Sequence, residues 1–171
     1  MARDSSVLVT GAGGQVGTAL RSLLPDARFA TRSELDVTDE SAVAVAVAGH
    51  SVIVHLAANT HVDRCELQPA DAERVNAGGT AIIAAAARTH GAKVIYVSTD
   101  YVFAGDRAGE YSEDDPVDPL NVYGKTKLAG EHQLDPSSDL IVRSSWIFGA
   151  GHNFIRRASA RPIRRSTTTA R

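Results

Sequence analysis

Residues 7–17 read Val7-Leu8-Val9-Thr10-Gly11-Ala12-Gly13-Gly14-Gln15-Val16-Gly17, and their reading decides the fold. Val7 to Thr10 is a short apolar run of the kind that forms a buried strand. Gly11 to Gly14 reads as a turn. From Val16 to Leu24 apolar residues recur at helical spacing until Pro25 stops them. Glycines at 11, 14 and 17, between a strand and a helix, match what a dinucleotide pyrophosphate requires. Gly11 permits the tight turn, Gly14 lets backbone N–H groups approach the phosphates, and Gly17 lets the helix lie close on the sheet. The helix N-terminus adds unpaired amides and the positive end of its dipole. A glycine-rich turn alone is a weak signal; the strand before it and the helix after it give it weight.

Outward from this turn, strand-like and helix-like segments alternate. Arg28 to Thr31 reads as a second strand, and Asp39 to Ala48 as a helix capped by Asp39. Ser51 to Ala58 is a third strand, continuously apolar as expected when both faces are covered. Asp71 to Thr89 is a long alanine-rich helix that Gly91 ends, followed by a fourth strand at Lys93–Ser98. After an irregular acidic stretch from Gly105 to Pro119, Val122 to Gln133 is helical and Asp139 to Arg143 is a fifth strand. The expected fold is α/β: a Rossmann-like, doubly wound parallel sheet with right-handed crossovers. In such folds the residue about 20 positions past the glycine turn meets the adenosine ribose. Here that region is Thr31-Arg32-Ser33-Glu34-Leu35-Asp36. Arg32 suits a 2′-phosphate and tilts the cofactor toward NADPH over NADH, although it also reads as a solvated loop residue. Asp36 and Val37 are expected beside the adenine.

Composition sets the outer bounds. At 171 residues, 43% hydrophobic and 22% charged, the chain reads as one ordinary globular domain. No apolar run reaches the ~18 residues of a membrane span, and the first residues lack a signal-peptide core, so the cytoplasm is the expected compartment. Cys65 is the only cysteine, which excludes an internal disulfide framework. His55, His61, His90, His132 and His152 show no ligand spacing, so no metal site is expected. Glu110, Glu113, Asp114 and Asp115 read as a solvated loop face. The net charge of −2 hides an asymmetry: residues 156–171 hold six arginines and no acid, leaving 12 basic against 20 acidic residues in 1–155. An acidic body argues against nucleic-acid binding. Two units follow, a dinucleotide-binding and catalytic domain at 1–155 and a basic tail at 156–171. The tail is aperiodic and expected to be disordered. It reads either as an electrostatic arm or as a non-native end, and the acidic body favours the latter.

Tyr123-Gly124-Lys125-Thr126-Lys127 sets a tyrosine and a lysine four residues apart at the start of a helix, on one face. A phenol with a pKa near ~10 is a poor acid–base catalyst at neutral pH. A nearby ammonium stabilises the phenolate, and Tyr123 then donates a proton to a carbonyl oxygen as hydride reaches its carbon. Tyr-x-x-x-Lys alone also arises as a surface pair. The fourth strand, however, runs into Ser98-Thr99-Asp100-Tyr101-Val102-Phe103, placing hydroxyls at the carboxyl edge where open α/β sheets bind ligands.

On these residues the chain resembles the extended short-chain dehydrogenases/reductases, and within them the dTDP-4-dehydrorhamnose reductase family. The resemblance runs from about Val7 to Phe154 and is most specific at Gly-Gln-Val-Gly (14–17), at 98–103, and at Pro-Leu-Asn-Val-Tyr-Gly-Lys-Thr-Lys-Leu-Ala-Gly-Glu (119–131). It implies NAD(P)H-dependent reduction of the 4-keto group of dTDP-4-dehydro-L-rhamnose to dTDP-L-rhamnose. By the resemblance, Thr99, Tyr123 and Lys127 are the catalytic trio, and Gly11, Gly14, Gln15 and Val16 cradle the pyrophosphate. Ala57, Ala58 and Asn59 pass along the cofactor, while Tyr123 and Lys127 also face it, Lys127 at the nicotinamide ribose. Thr99, Asp100, Tyr101 and Trp146 match substrate contacts, Trp146 reading equally as core packing. Asn76 ties the central helix to neighbouring loops. The expected partner is a dTDP-4-keto-6-deoxy sugar, with a homodimer left open. Full-length members continue into a smaller substrate domain, here expected to be largely missing, so cofactor binding is expected with weak or absent turnover. The alternatives are a nucleotide-sugar epimerase or dehydratase, and a non-catalytic module like the regulatory subunit of methionine adenosyltransferase. Dehydratases carry an acid where this chain has Tyr101, which favours simple reduction.

Overall fold

The structure, a computed structural model, describes residues 6–149, so the expected tail at 156–171 lies outside the described residues. Strand β1 (Val7–Thr10) leads through the glycine turn into helix α1 (Gln15–Leu20). Strand β2 (Arg28–Ala30), helix α2 (Glu40–Val47) and strand β3 (Val52–His55) follow. Helices α3 (Val62–Leu67) and α4 (Pro69–Glu73) precede a π-helical turn (Arg74–Gly78), which runs directly into α5 (Gly79–His90). Strand β4 (Lys93–Thr99), a 3₁₀ turn (Asp100–Val102), helix α6 (Val122–Glu131) and strand β5 (Leu140–Ser144) complete the described elements.

All four strand pairings are parallel, in the order β2-β1-β3-β4-β5. The order reverses at β1, which opens a crevice beyond the carboxyl ends of β1 and β3. Leu8 and Val9 are each fully buried; as neighbours on a strand they point to opposite faces, so both faces of β1 are covered. A cluster of buried side chains joins Leu8, Ile53, Val94 and Tyr96 of the sheet to Val43, Val47, Ile83 and Ala87 of α2 and α5. Each fully buried aliphatic of this size contributes roughly 1.5–3 kcal/mol.

Helix ends follow their local chemistry. Asp39 caps α2 by accepting from Ala42 N at 3.0 Å, and Asn121 caps α6 by accepting from Gly124 N at 2.7 Å. Gly91 ends α5 in the left-handed region at φ +66°. Three helical expectations change. The first helix stops at Leu20 and unwinds through turns to Leu24, because Pro25 disfavours helical backbone before it. The segment expected as one helix from Asp71 to Thr89 is α4, the π turn and α5. Helix α3 was not anticipated.

Candidate active site

The crevice is a cleft of about 790 Å³. Gly11, Gly14, Gln15, Val16 and Gly17 line it from the first turn, and Arg32, Asp36 and Val37 from the segment after β2. Ala57, Ala58 and Asn59 line it after β3, and Thr99, Asp100 and Tyr101 at the end of β4. Tyr123 and Lys127 enter from α6, and Trp146 from beyond β5. The residues singled out from the sequence therefore share one concave surface.

At the turn, Gly11 has φ +66°, and a Cβ there would lie 2.5 Å from Ala57 N. Gly17 presses on Ala12, whose Cα would be 2.6 Å from an added Cβ. Gly14 caps α1 without a side-chain hydrogen bond. The turn is thus bare backbone held close to β3, a shape that accepts a pyrophosphate and has no room for side chains. A dinucleotide fits the residues present.

At the adenosine end, Asp36 accepts from Thr38 N at 3.0 Å and Thr38 Oγ1 at 2.8 Å. These bonds hold its carboxyl below the usual range, and Arg32 and Arg74 add to the effect. Arg74 donates to Thr38 Oγ1 at 2.9 Å and lines the cleft, a second cation that the sequence pattern did not single out. Val37 is turned into the core, with Cγ2 occupying the space a side chain on Gly79 would need, while still forming part of the cleft wall.

At the opposite end, Thr99 Oγ1 accepts from Tyr101 N at 3.2 Å and donates to Asp100 Oδ1 at 3.1 Å. The rings of Tyr101 and Tyr123 meet edge to face at 6.0 Å. Burial raises the Tyr123 phenol above its ordinary pKa, while its hydrogen bond with Thr99 lowers it. The expected lowering by Lys127 is not what acts on the phenol. Lys127 is 2% exposed, and its Nζ donates down to Val97 O at 2.8 Å, 3.8 Å from the centre of the Tyr96 ring. Burial pulls the Lys127 ammonium down to about 7, and the Glu131 carboxylate acts in the opposite direction. Trp146 is 61% exposed among the described residues.

Behind the cleft, Asn76 of the π turn is fully buried. Its Oδ1 accepts from Asn59 N at 2.7 Å, and its Nδ2 donates to Asn59 O at 3.1 Å and Thr126 Oγ1 at 3.0 Å. It joins the loop after β3 to α6. His55 is also fully buried, with Nδ1 2.7 Å from Thr10 Oγ1 and Nε2 3.2 Å from Thr80 Oγ1. Burial, then the Lys127 charge, push His55 down to about 3, so it is a neutral core imidazole. Among the described residues no cluster of three or more His, Cys, Asp or Glu is placed to hold a metal ion. Among them, too, no helix is long and apolar enough to cross a membrane.

The RmlD substrate binding domain family matches residues 5–168. The chain belongs to this family. It is 46% identical over 159 residues to dTDP-4-dehydrorhamnose reductase of Streptomyces griseus, covering 86% of this chain and 52% of that protein. The same enzyme of Aggregatibacter actinomycetemcomitans is 43% identical over 161 residues, covering 88% of this chain and 54% of the relative. This RmlD-family chain therefore spans about half the length of the curated relatives it matches. Its fold superimposes on the Bacillus anthracis dTDP-4-dehydrorhamnose reductase solved in complex with NADP, at a TM-score of 0.85 and 38% identity. That match covers 91% of this chain and 60% of the solved one.

Proposed function

We propose that this chain carries the cofactor-binding and catalytic portion of an NADPH-dependent reductase acting on the 4-keto group of a dTDP-4-keto-6-deoxy sugar, dTDP-4-dehydro-L-rhamnose. The observation that carries the reading is the convergence of Thr99, Tyr123 and Lys127 on the cleft that the glycine turn opens. The glycine turn and Ala57–Asn59 would hold the dinucleotide, with Arg32 and Arg74 at its adenosine end. When bound, the nicotinamide supplies a hydride. Tyr123 supplies the proton: burial keeps its phenol protonated at neutral pH, the form an acid needs when a ketone becomes an alcohol. Thr99 holds the same carbonyl oxygen by hydrogen bonding. Lys127, whose Nζ is held on Val97 O at the cleft wall, would hold the nicotinamide ribose. Asp100, Tyr101 and Trp146 would face the sugar. Tyr101 stands edge-on to Tyr123 where an eliminating enzyme needs an acid, which favours reduction over dehydration. A reductase that uses a nicotinamide cofactor and a sugar nucleotide would work in the cytoplasm.

Titrating the 171-residue chain with NADPH and NADH, followed by nicotinamide fluorescence, tests the reading. NADPH is expected to bind more tightly, and Arg32→Ala to weaken NADPH about tenfold (roughly 1.4 kcal/mol) while leaving NADH unchanged. Failure of both nucleotides to bind at millimolar concentration would overturn it.

A further inference from the structure

Beneath Lys127 lies an ion pair to which the reaction above assigns no part. Glu131, one helical turn beyond Lys127 on α6, is 4% exposed, and a carboxylate buried that deeply persists only when its oxygens are satisfied. Its Oε1 accepts from Ser98 Oγ at 2.5 Å and from Arg143 Nε at 3.1 Å. Its Oε2 accepts from Arg143 Nε at 3.2 Å and Nη2 at 2.7 Å. Ser98 sits between Val97, which accepts from Lys127 Nζ, and Thr99. Two side chains of α6 thus grip adjacent residues at the end of β4, and Arg143 closes the arrangement from β5.

Building on the reading of Thr99, Tyr123 and Lys127 given above, we propose that Glu131 is the positioning residue of this site, clamping α6 to the end of β4 and serving as the counter-charge to Lys127. The other groups around Lys127 do not supply that charge. His55 on β3 is a neutral imidazole, and Tyr96 on β4 is pushed by burial above its ordinary range. Tyr123 on α6 is a protonated phenol, with Asp100 acting on it from the turn after β4, and Arg143 on β5 is itself a cation. Glu131 is the carboxylate that opposes the effect of burial on Lys127. Without it, burial alone would act on Lys127, and the Arg143 guanidinium would lose the carboxylate it holds.

The chain has three lysines, Lys93, Lys125 and Lys127, so ¹³Cε-lysine NMR of the full 171-residue chain resolves their titrations, with Lys127→Arg as the assignment control. Glu131→Gln is expected to lower the Lys127 midpoint by at least one pH unit, and Glu131→Asp to restore most of that shift. Arg143→Met, which removes the competing cation, is expected to move the midpoint upward. Opposite shifts from two variants of one pair are not produced by general loosening of the fold. An unmoved midpoint in Glu131→Gln, or shifts of the same sign in Glu131→Gln and Arg143→Met, would overturn the proposal. If Glu131→Gln shows no thermal unfolding transition, Arg143→Met decides: an upward shift supports the clamp, and no shift or a downward one overturns it. Failure of the unsubstituted chain to bind NADPH would remove the functional reading, leaving the lysine titration to judge the clamp separately.

Discussion

Burial acts on Lys127, Tyr123 and His55 through one effect, disfavouring charge, and yields three different consequences. It leaves Tyr123 a phenol, brings Lys127 to about 7, and holds His55 neutral down to about 3. Tyr123→Phe keeps the ring and removes the proton; ketosugar reduction by an assembly that turns over is expected to fall ~10²–10⁴-fold. NADPH affinity in the same fluorescence titration should barely change. The imidazole has a separate, structural signature. Unfolded His55 takes up a proton below its ordinary value of 6.5 and the folded form does not until about 3, so stability falls as pH drops through that window. His55 is expected to cost urea-unfolding stability about 1 kcal/mol per pH unit between pH 6.5 and 5, and His55→Gln to flatten that slope. Lys127 acts on the alkaline side. The unfolded amine holds its proton to its ordinary value of 10.5 and the folded one only to about 7, so stability rises with pH across that range.

Among the elements, the π turn organises the most. Its extra residue lets Asn76 reach both the loop after β3 and α6, while Thr80 Oγ1 donates to Asn76 O at 2.6 Å. Asn76→Ala strands Asn59 and Thr126 groups in a buried setting. It is expected to cost about 2–4 kcal/mol in urea unfolding and to loosen cofactor binding. The strands were legible because each is a short apolar run between turn residues: β3, β4 and β5 fall within a few residues of their expected bounds. The glycine turn and Tyr123-x-x-x-Lys127 were legible because their chemistry is local. The π turn was not, since alanine-rich periodicity looks the same with or without one extra residue. Glu131, Arg143 and Arg74 were hidden for a related reason. Their partners lie 33, 12 and 36 positions away, at Ser98, Glu131 and Thr38, and nothing in a helical charge pattern points to them.

At the scale of the molecule, strand order turns local signals into one site, because reversal at β1 brings the glycine turn and the end of β4 to the same edge. The far side of the sheet has a different character. Leu140 and Val142 alternate with Ile141 and Arg143 along β5, so the first two share a face, 54% and 39% exposed, while Ile141 packs on the core. Phe148 is exposed as well, so several large apolar side chains meet solvent at this end of the described residues. Val142→Lys is expected to lower the binding of a hydrophobic dye and raise soluble yield without changing NADPH affinity. The five-residue turn at 74–78 has a consequence of its own for the gene. Removing a single codon there would allow an unbroken α-helix, but it would swing everything upstream by about 100° relative to α5. Asp71 would then leave the crevice wall. Asn76 apart, this segment should therefore tolerate exchanged letters far better than a changed count of them.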